Sequence, residues 1–118
     1  GNDKEKFRED VKKKAKYALW KLKKLADEAK ERALKFDPSE EMKREFTLEW
    51  IAWALEAIGD IFNAWLDGKK YADEAKKQGK ARKEEAEETK KEATRIAKEA
   101  HEKASELARK ILYHMLLG

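Results

Sequence analysis

Phe46-Thr47-Leu48-Glu49-Trp50-Ile51-Ala52-Trp53-Ala54-Leu55-Glu56-Ala57-Ile58-Gly59-Asp60-Ile61-Phe62-Asn63-Ala64-Trp65-Leu66 is the stretch whose reading decides the fold. A bundle helix needs one apolar stripe, facing its own core. This stretch carries two. At about 100° per residue, Phe46, Trp50, Trp53, Ala57, Ile61 and Ala64 share one face and lead on to Tyr71 and Ala75. Leu48, Ile51, Leu55, Ile58, Phe62 and Leu66 share another, turned away from the first. The Trp-rich stripe predicts a core face. The Leu/Ile/Phe stripe predicts an apolar surface that must be covered by something else.

Working outward, the segment before it reads as a first helix over about residues 3–35. Its apolar residues are Phe7, Val11, Ala15, Ala18, Leu22, Leu25, Ala29 and Ala33, three and four apart, with Lys and Glu elsewhere. Asp37 suits an N-cap, Pro38 a first helical position and Glu40 the third position of a capping box, so a second helix starts near Pro38. Its stop is either Asp67-Gly68 or Gly79, the latter preceded by Lys76-Lys77-Gln78. Tyr71, Ala72 and Ala75 continue the inner stripe past Gly68, which favours Gly79 and makes Gly68 a weak point of about 1 kcal/mol. A third helix over about 80–117 carries Ala86, Ala93, Ala97, Ala100, Ala104, Leu107, Ile111 and Met115 on its inner face. Outer faces of the first and third helices read as polar. Three matched lengths with very short loops predict an all-α, up-down-up three-helix bundle, one domain over 1–118.

Composition agrees. Charged residues make up 46% and apolar residues 41%, enough for a core if they segregate by face. The net charge of +4 comes from 29 basic and 25 acidic residues interleaved, which argues against a nucleic-acid partner. Lys12-Lys13-Lys14 and the lysines around Leu22 read as a solvated face, interrupted by Asp10, Asp27, Glu28 and Glu31. The polar start Gly1-Asn2-Asp3-Lys4 has no signal-peptide h-region. Glu49, Glu56, Asp60, Asn63 and Asp67 interrupt the apolar run too often for membrane insertion. A cytoplasmic location is expected if the chain is expressed in cells.

Catalytic chemistry finds no foothold. The chain has no Cys, no Ser/His/Asp constellation and no phosphate loop. His101 and His114 are the only imidazoles, too far apart on one helix to share a metal. Glu84/Glu88 is a solvated pair, and the Glu-x-x-His motifs of a di-metal bundle are missing. We therefore expect no enzyme, metal or cofactor.

The second stripe remains to be explained. Ala52 and Gly59 keep one flank small, and a mid-helix Gly costs about 1 kcal/mol against Ala. Ile51, Leu55, Ile58 and Phe62 have the spacing of a helix laid into a hydrophobic groove. The run Trp50-Ile51-Ala52-Trp53-Ala54-Leu55-Glu56-Ala57-Ile58-Gly59-Asp60-Ile61-Phe62-Asn63-Ala64 resembles the Bcl-2 homology region three (BH-3) helix of pro-apoptotic proteins such as Bim. Leu55, Gly59 and Asp60 form the Leu-x-x-x-Gly-Asp core, preceded by Trp-Ile-Ala and followed by Phe-Asn-Ala. Polar positions of the free peptide become Trp53, Ala54, Ala57 and Ile61 here, three of them on the core stripe. The remaining chain resembles designed three-helix bundles that present this helix, in its Glu-Met-Lys-Arg entry, its Gly-Asp-Ile-Phe variant and its Lys-Lys-x-Gly turn. The uniform Lys/Glu surface and minimal loops fit an engineered protein as well.

The resemblance implies a partner and a role for each residue. The partner is a prosurvival Bcl-2-family protein, for example Mcl-1, Bcl-2, Bcl-xL or a viral homologue, blocked so that apoptosis is promoted. Ile51, Leu55, Ile58 and Phe62 would fill its four pockets. Gly59 would permit close approach, Asp60 would pair with a partner Arg, and Asn63 would bond nearby. Leu48, Ala52 and Leu66 complete the face. The alternative is a self-associating structural bundle that buries the same stripe in its own oligomer.

Overall fold

The computed structural model describes residues 2–37, 44–77 and 80–117. Three helices account for nearly all of them: α1 (Asn2–Lys35), α2 (Arg44–Lys76) and α3 (Lys80–Leu117). No strand occurs among the described residues. The proposed cap at Pro38 and Glu40, the stop at Gly79, and the side chains of Phe7 and Phe46 lie outside what is described.

Cross-helix contacts fix the topology. Lys14 lies over Tyr71 and Arg32 over Trp53, so α1 and α2 run antiparallel. Trp65 meets Thr94 and Lys76 meets Glu87, so α2 and α3 do too. Lys12 meets Glu85 and Phe36 meets His114, leaving α1 and α3 parallel. The bundle is therefore up-down-up, a rod of 62 × 21 × 17 Å. The α2 helix passes through Asp67-Gly68 without a break. Gly68 is there for packing: a Cβ on it would sit 3.3 Å from the Ala93 Cβ and 3.8 Å from that of Ala18, where all three helices meet.

The core is built mostly of small residues. Ala15, Ala18, Ala26, Ala29 and Ala33 face Ala54, Ala57, Ala64 and Ala72, with Ala86, Ala93, Ala100, Ala104 and Ala108 completing it. Alanine lets helix axes approach to the short end of the usual 8–10 Å range. Leu22, Leu107 and Ile111 are the largest fully buried side chains. Full burial of each contributes about 1.5–3 kcal/mol.

Several expectations need correction. Trp50 and Trp53 are half-buried at the core's edge, and the centre of the α2 stripe passes through Ala54 and Ala72 instead. A Trp ring is too large for an axis packed with alanine, so both rings lie against the Arg32 guanidinium, 5.3 and 4.3 Å from their centroids. Tyr71 and Ala75 are also only half-buried. On α3, Ile96 and Ala108 are core residues, while Met115 is exposed. Phe36 at the end of α1 reaches only as far as His114, so the last residues of α3 have no α1 to pack on. Outer faces are also less polar than expected: α1 exposes Tyr17, Trp20 and Leu34, and α3 exposes Leu112, Tyr113, Leu116 and Leu117.

A candidate helix-in-groove interface

One face of α2 looks into solvent and is apolar. Leu55 is 59% exposed, Phe62 55%, Leu48 45% and Leu66 42%. Ala52, Gly59, Asp60 and Asn63 are exposed beside them. The structure therefore brings the ten candidate interface residues onto one continuous side of one helix, where the sequence had separated them only by periodicity.

The four anchors are not equivalent. Leu55 and Phe62 project freely. Ile51 and Ile58 are half-buried in the crease between α2 and α3, Ile58 against the core around Ile61 and Ile51 against the core around Leu107. The reason is angular. Residues 51 and 58 lie nearest the α3 side of the stripe: Ile58 lines one groove with Ala97, and Ile51 packs on the cluster that holds Ala108. A partner would cover the remaining exposed part of both.

Gly59 is the most informative position. A Cβ built there meets nothing within 4 Å. The bundle gains nothing from its missing side chain and still loses about 1 kcal/mol of helix propensity. Gly59, Ala52 and the backbone between them make a shallow strip beside Leu55, onto which another backbone can come close.

Asp60 lies on the flank facing α1, the same flank as Asp67, which borders Tyr17 and Lys21 of that helix. Asp60 is exposed and has no hydrogen bond or ion pair among the described residues. Its charge is thus free for an external cation. Carboxylates that the bundle does use behave differently. Lys90 donates to Asp73 at 2.9 Å and Lys76 to Glu87 at 3.0 Å, and each hydrogen bond holds its carboxyl below the ordinary value.

Residues that sequence reasoning missed lie across the crease on α3. A groove of about 580 Å³ runs beside the stripe, lined by Ile58, Phe62 and Trp65 on α2 and by Ala97, Lys98 and His101 on α3. Trp65 Nε1 donates to Thr94 Oγ1 at 3.0 Å and fixes the groove floor. Phe62 leans on Trp65 at 5.9 Å between centroids. Only the antiparallel register of α2 and α3 places these residues together, and no local spacing announces it.

Among the described residues, no group of three or more His, Cys, Asp or Glu is placed to hold a metal ion. His114 is half-buried, edge-on to Phe36, and His101 lies exposed at the groove. Among the described residues, no helix is long and apolar enough to cross a membrane. Compared with protein families, with curated proteins and with solved structures, the chain finds no match.

Proposed function

We propose that this bundle is a preformed helical ligand for the hydrophobic groove of a prosurvival Bcl-2-family protein, which it blocks and so favours apoptosis. The observation that carries the reading is Gly59: it lies in the middle of an exposed apolar strip, and its own bundle has no use for it. Leu55 and Phe62 supply two free anchors, and Ile51 and Ile58 the edge of the ridge. Asp60 supplies an exposed carboxylate with no ion pair among the described residues. A free peptide of this kind must order itself on binding, at a cost of about 2–5 kcal/mol. The bundle has already met that cost.

The test is a titration with Mcl-1, Bcl-2, Bcl-xL and a viral homologue, using the wild type, Leu55→Glu and Asp60→Ala. Leu55→Glu should abolish binding, because it places a charge in a desolvated pocket. Asp60→Ala should weaken binding while the helical circular-dichroism signal stays unchanged. The reading fails if no member binds the wild type, or if Leu55→Glu binds equally well. A self-associating bundle would show itself differently: Leu55→Glu would dissociate an oligomer seen by sedimentation.

A further inference from the structure

The groove between α2 and α3 is apolar inside and basic outside. Its walls carry no carboxylate. Thr94 and Lys98 at its mouth also border a shallow surface formed by Lys69, Lys90, Lys91 and Arg95, with Glu87. Some of these cations are occupied internally: Lys90 pairs with Asp73, and Arg95 with Glu92 and Glu99. Lys91 and Lys98 are exposed and have no ion pair among the described residues. Lys69 lies 4.4 Å over the Trp65 ring and is within electrostatic reach of Asp73.

Across the apolar ridge the flank is mixed in sign, with Asp67 set among Lys13, Lys14 and Lys21 of α1. The flank facing α1 carries Glu56, Asp60 and Asp67, all exposed. The apolar groove opening onto exposed lysines is therefore the side of the ridge that suits an acidic partner surface. Complementary potentials set register and speed encounter.

We propose that the α2–α3 groove is a second contact for the same partner, taking an apolar side chain flanked by carboxylates from the wall of the partner's own groove. This rests on the groove-binding reading above. The partner's ridge enters beside Phe62 and Trp65, over Ala97, and its acidic residues meet Lys98 and Lys91. Specificity among related partners then depends on whether that wall is acidic, since a basic wall would be repelled.

The experiment uses the full chain and whichever of Mcl-1, Bcl-2, Bcl-xL or a viral homologue binds the wild type. Two variants are compared with it by surface kinetics at low and high salt. Lys91→Glu combined with Lys98→Glu should slow association about tenfold at low salt, and the deficit should shrink as salt rises. Ala97→Phe should fill the groove and raise Kd about tenfold, chiefly through faster dissociation. Both lysines are exposed, so the charge reversal tests the idea even if Ala97→Phe disturbs packing. If the charge-reversed protein binds like the wild type while Leu55→Glu abolishes binding, the second contact is wrong and the groove-binding reading survives. If no member binds the wild type, both fall. If the charge reversal changes the sedimentation of the protein alone and leaves partner affinity unaltered, the groove belongs to a second copy and the proposal is overturned.

Discussion

Replacing Gly59 by Ala should make the free protein more stable and its complex weaker. The two effects come from separate surfaces. In the free bundle a Cβ at position 59 meets nothing within 4 Å, so no packing is gained or lost. What remains is backbone entropy, which favours Ala over Gly by about 0.8–1.0 kcal/mol in a helix interior. For a domain of this size that is a rise in Tm of roughly 3–5 °C. In the complex the new methyl enters the strip where a partner backbone approaches. Overpacking of a tight contact costs about 1–3 kcal/mol, so Kd should rise between about fivefold and 150-fold. Gly68→Ala is the internal control. It gains the same backbone term, but its Cβ is pressed to 3.3 Å against Ala93, so its net gain should be smaller. Thermal melts followed by circular dichroism at 222 nm measure the first effect, and a titration with whichever proposed partner binds the wild type measures the second. A lower Tm for Gly59→Ala, or a gain no larger than that of Gly68→Ala, refutes the structural reasoning. An unchanged Kd refutes the claim that Gly59 serves a partner.

Two further outcomes test the bundle itself. Leu107 is fully buried beside Ile111, so Leu107→Ala should cost about 2–5 kcal/mol; a denaturation midpoint close to the wild type's would mean that the core is drawn wrongly. Acid should destabilise the bundle mildly: hydrogen bonds from Lys90, Lys76 and Lys110 lower the pKa of Asp73, Glu87 and Glu106. A carboxyl lowered in the folded state stabilises above its unfolded value and loses that contribution as pH falls through its folded one. The Tm should therefore hold from pH 7 to 5 and decline below the ordinary Glu value of 4.5, less so at high salt because the pairs are exposed. A Tm that is flat down to pH 3 at low salt would rule these pairs out as contributors.

The helices and their number are legible in the sequence because 3.6-residue periodicity is a local property. Val11, Ala15, Ala18, Leu22, Ala29 and Ala33 can be read off α1 in that way, and all are buried. What periodicity leaves open is the exact angle at which a helix meets its neighbours. On α2 the candidate core arc runs through Trp50 and Trp53, as sorting by about 100° per residue places them. The observed arc is turned toward Ala54 and Ala72, because three alanine-lined helices close too tightly for an indole. The same turn leaves Ile51 and Ile58 in the crease rather than fully outward. The exposed Leu55 and Phe62 are legible in the doubled stripe, and Gly59 in the small flank beside it. Lys98, Ala97 and His101 were not, because their nearness to Phe62 is set by how residues on α3 pair with residues far away on α2.

The composition of α2 explains how one helix can serve two surfaces. Its core side is Ala54, Ala57, Ala64, Gly68 and Ala72, with Ile61 as the large aliphatic residue buried there. The large core side chains come from the neighbours: Leu22 from α1, and Leu107 and Ile111 from α3. The largest fully buried side chains thus sit on helices that do not carry the candidate interface, although α2 packs against both of them. The outward residues of α2 are free to satisfy a partner without weakening the core, so Leu55 and Leu107 should act additively when changed together. The same division accounts for the half-buried pair. Ile51 and Ile58 hold the ridge against the core and leave their remaining surface to the proposed partner, so the ridge is fixed in the free protein. Removing an ordering cost of about 2–5 kcal/mol is equivalent to roughly 30- to 5,000-fold in affinity. That gain requires a rigid ridge, and the small inward residues of α2 make it rigid by drawing the helix close to both neighbours.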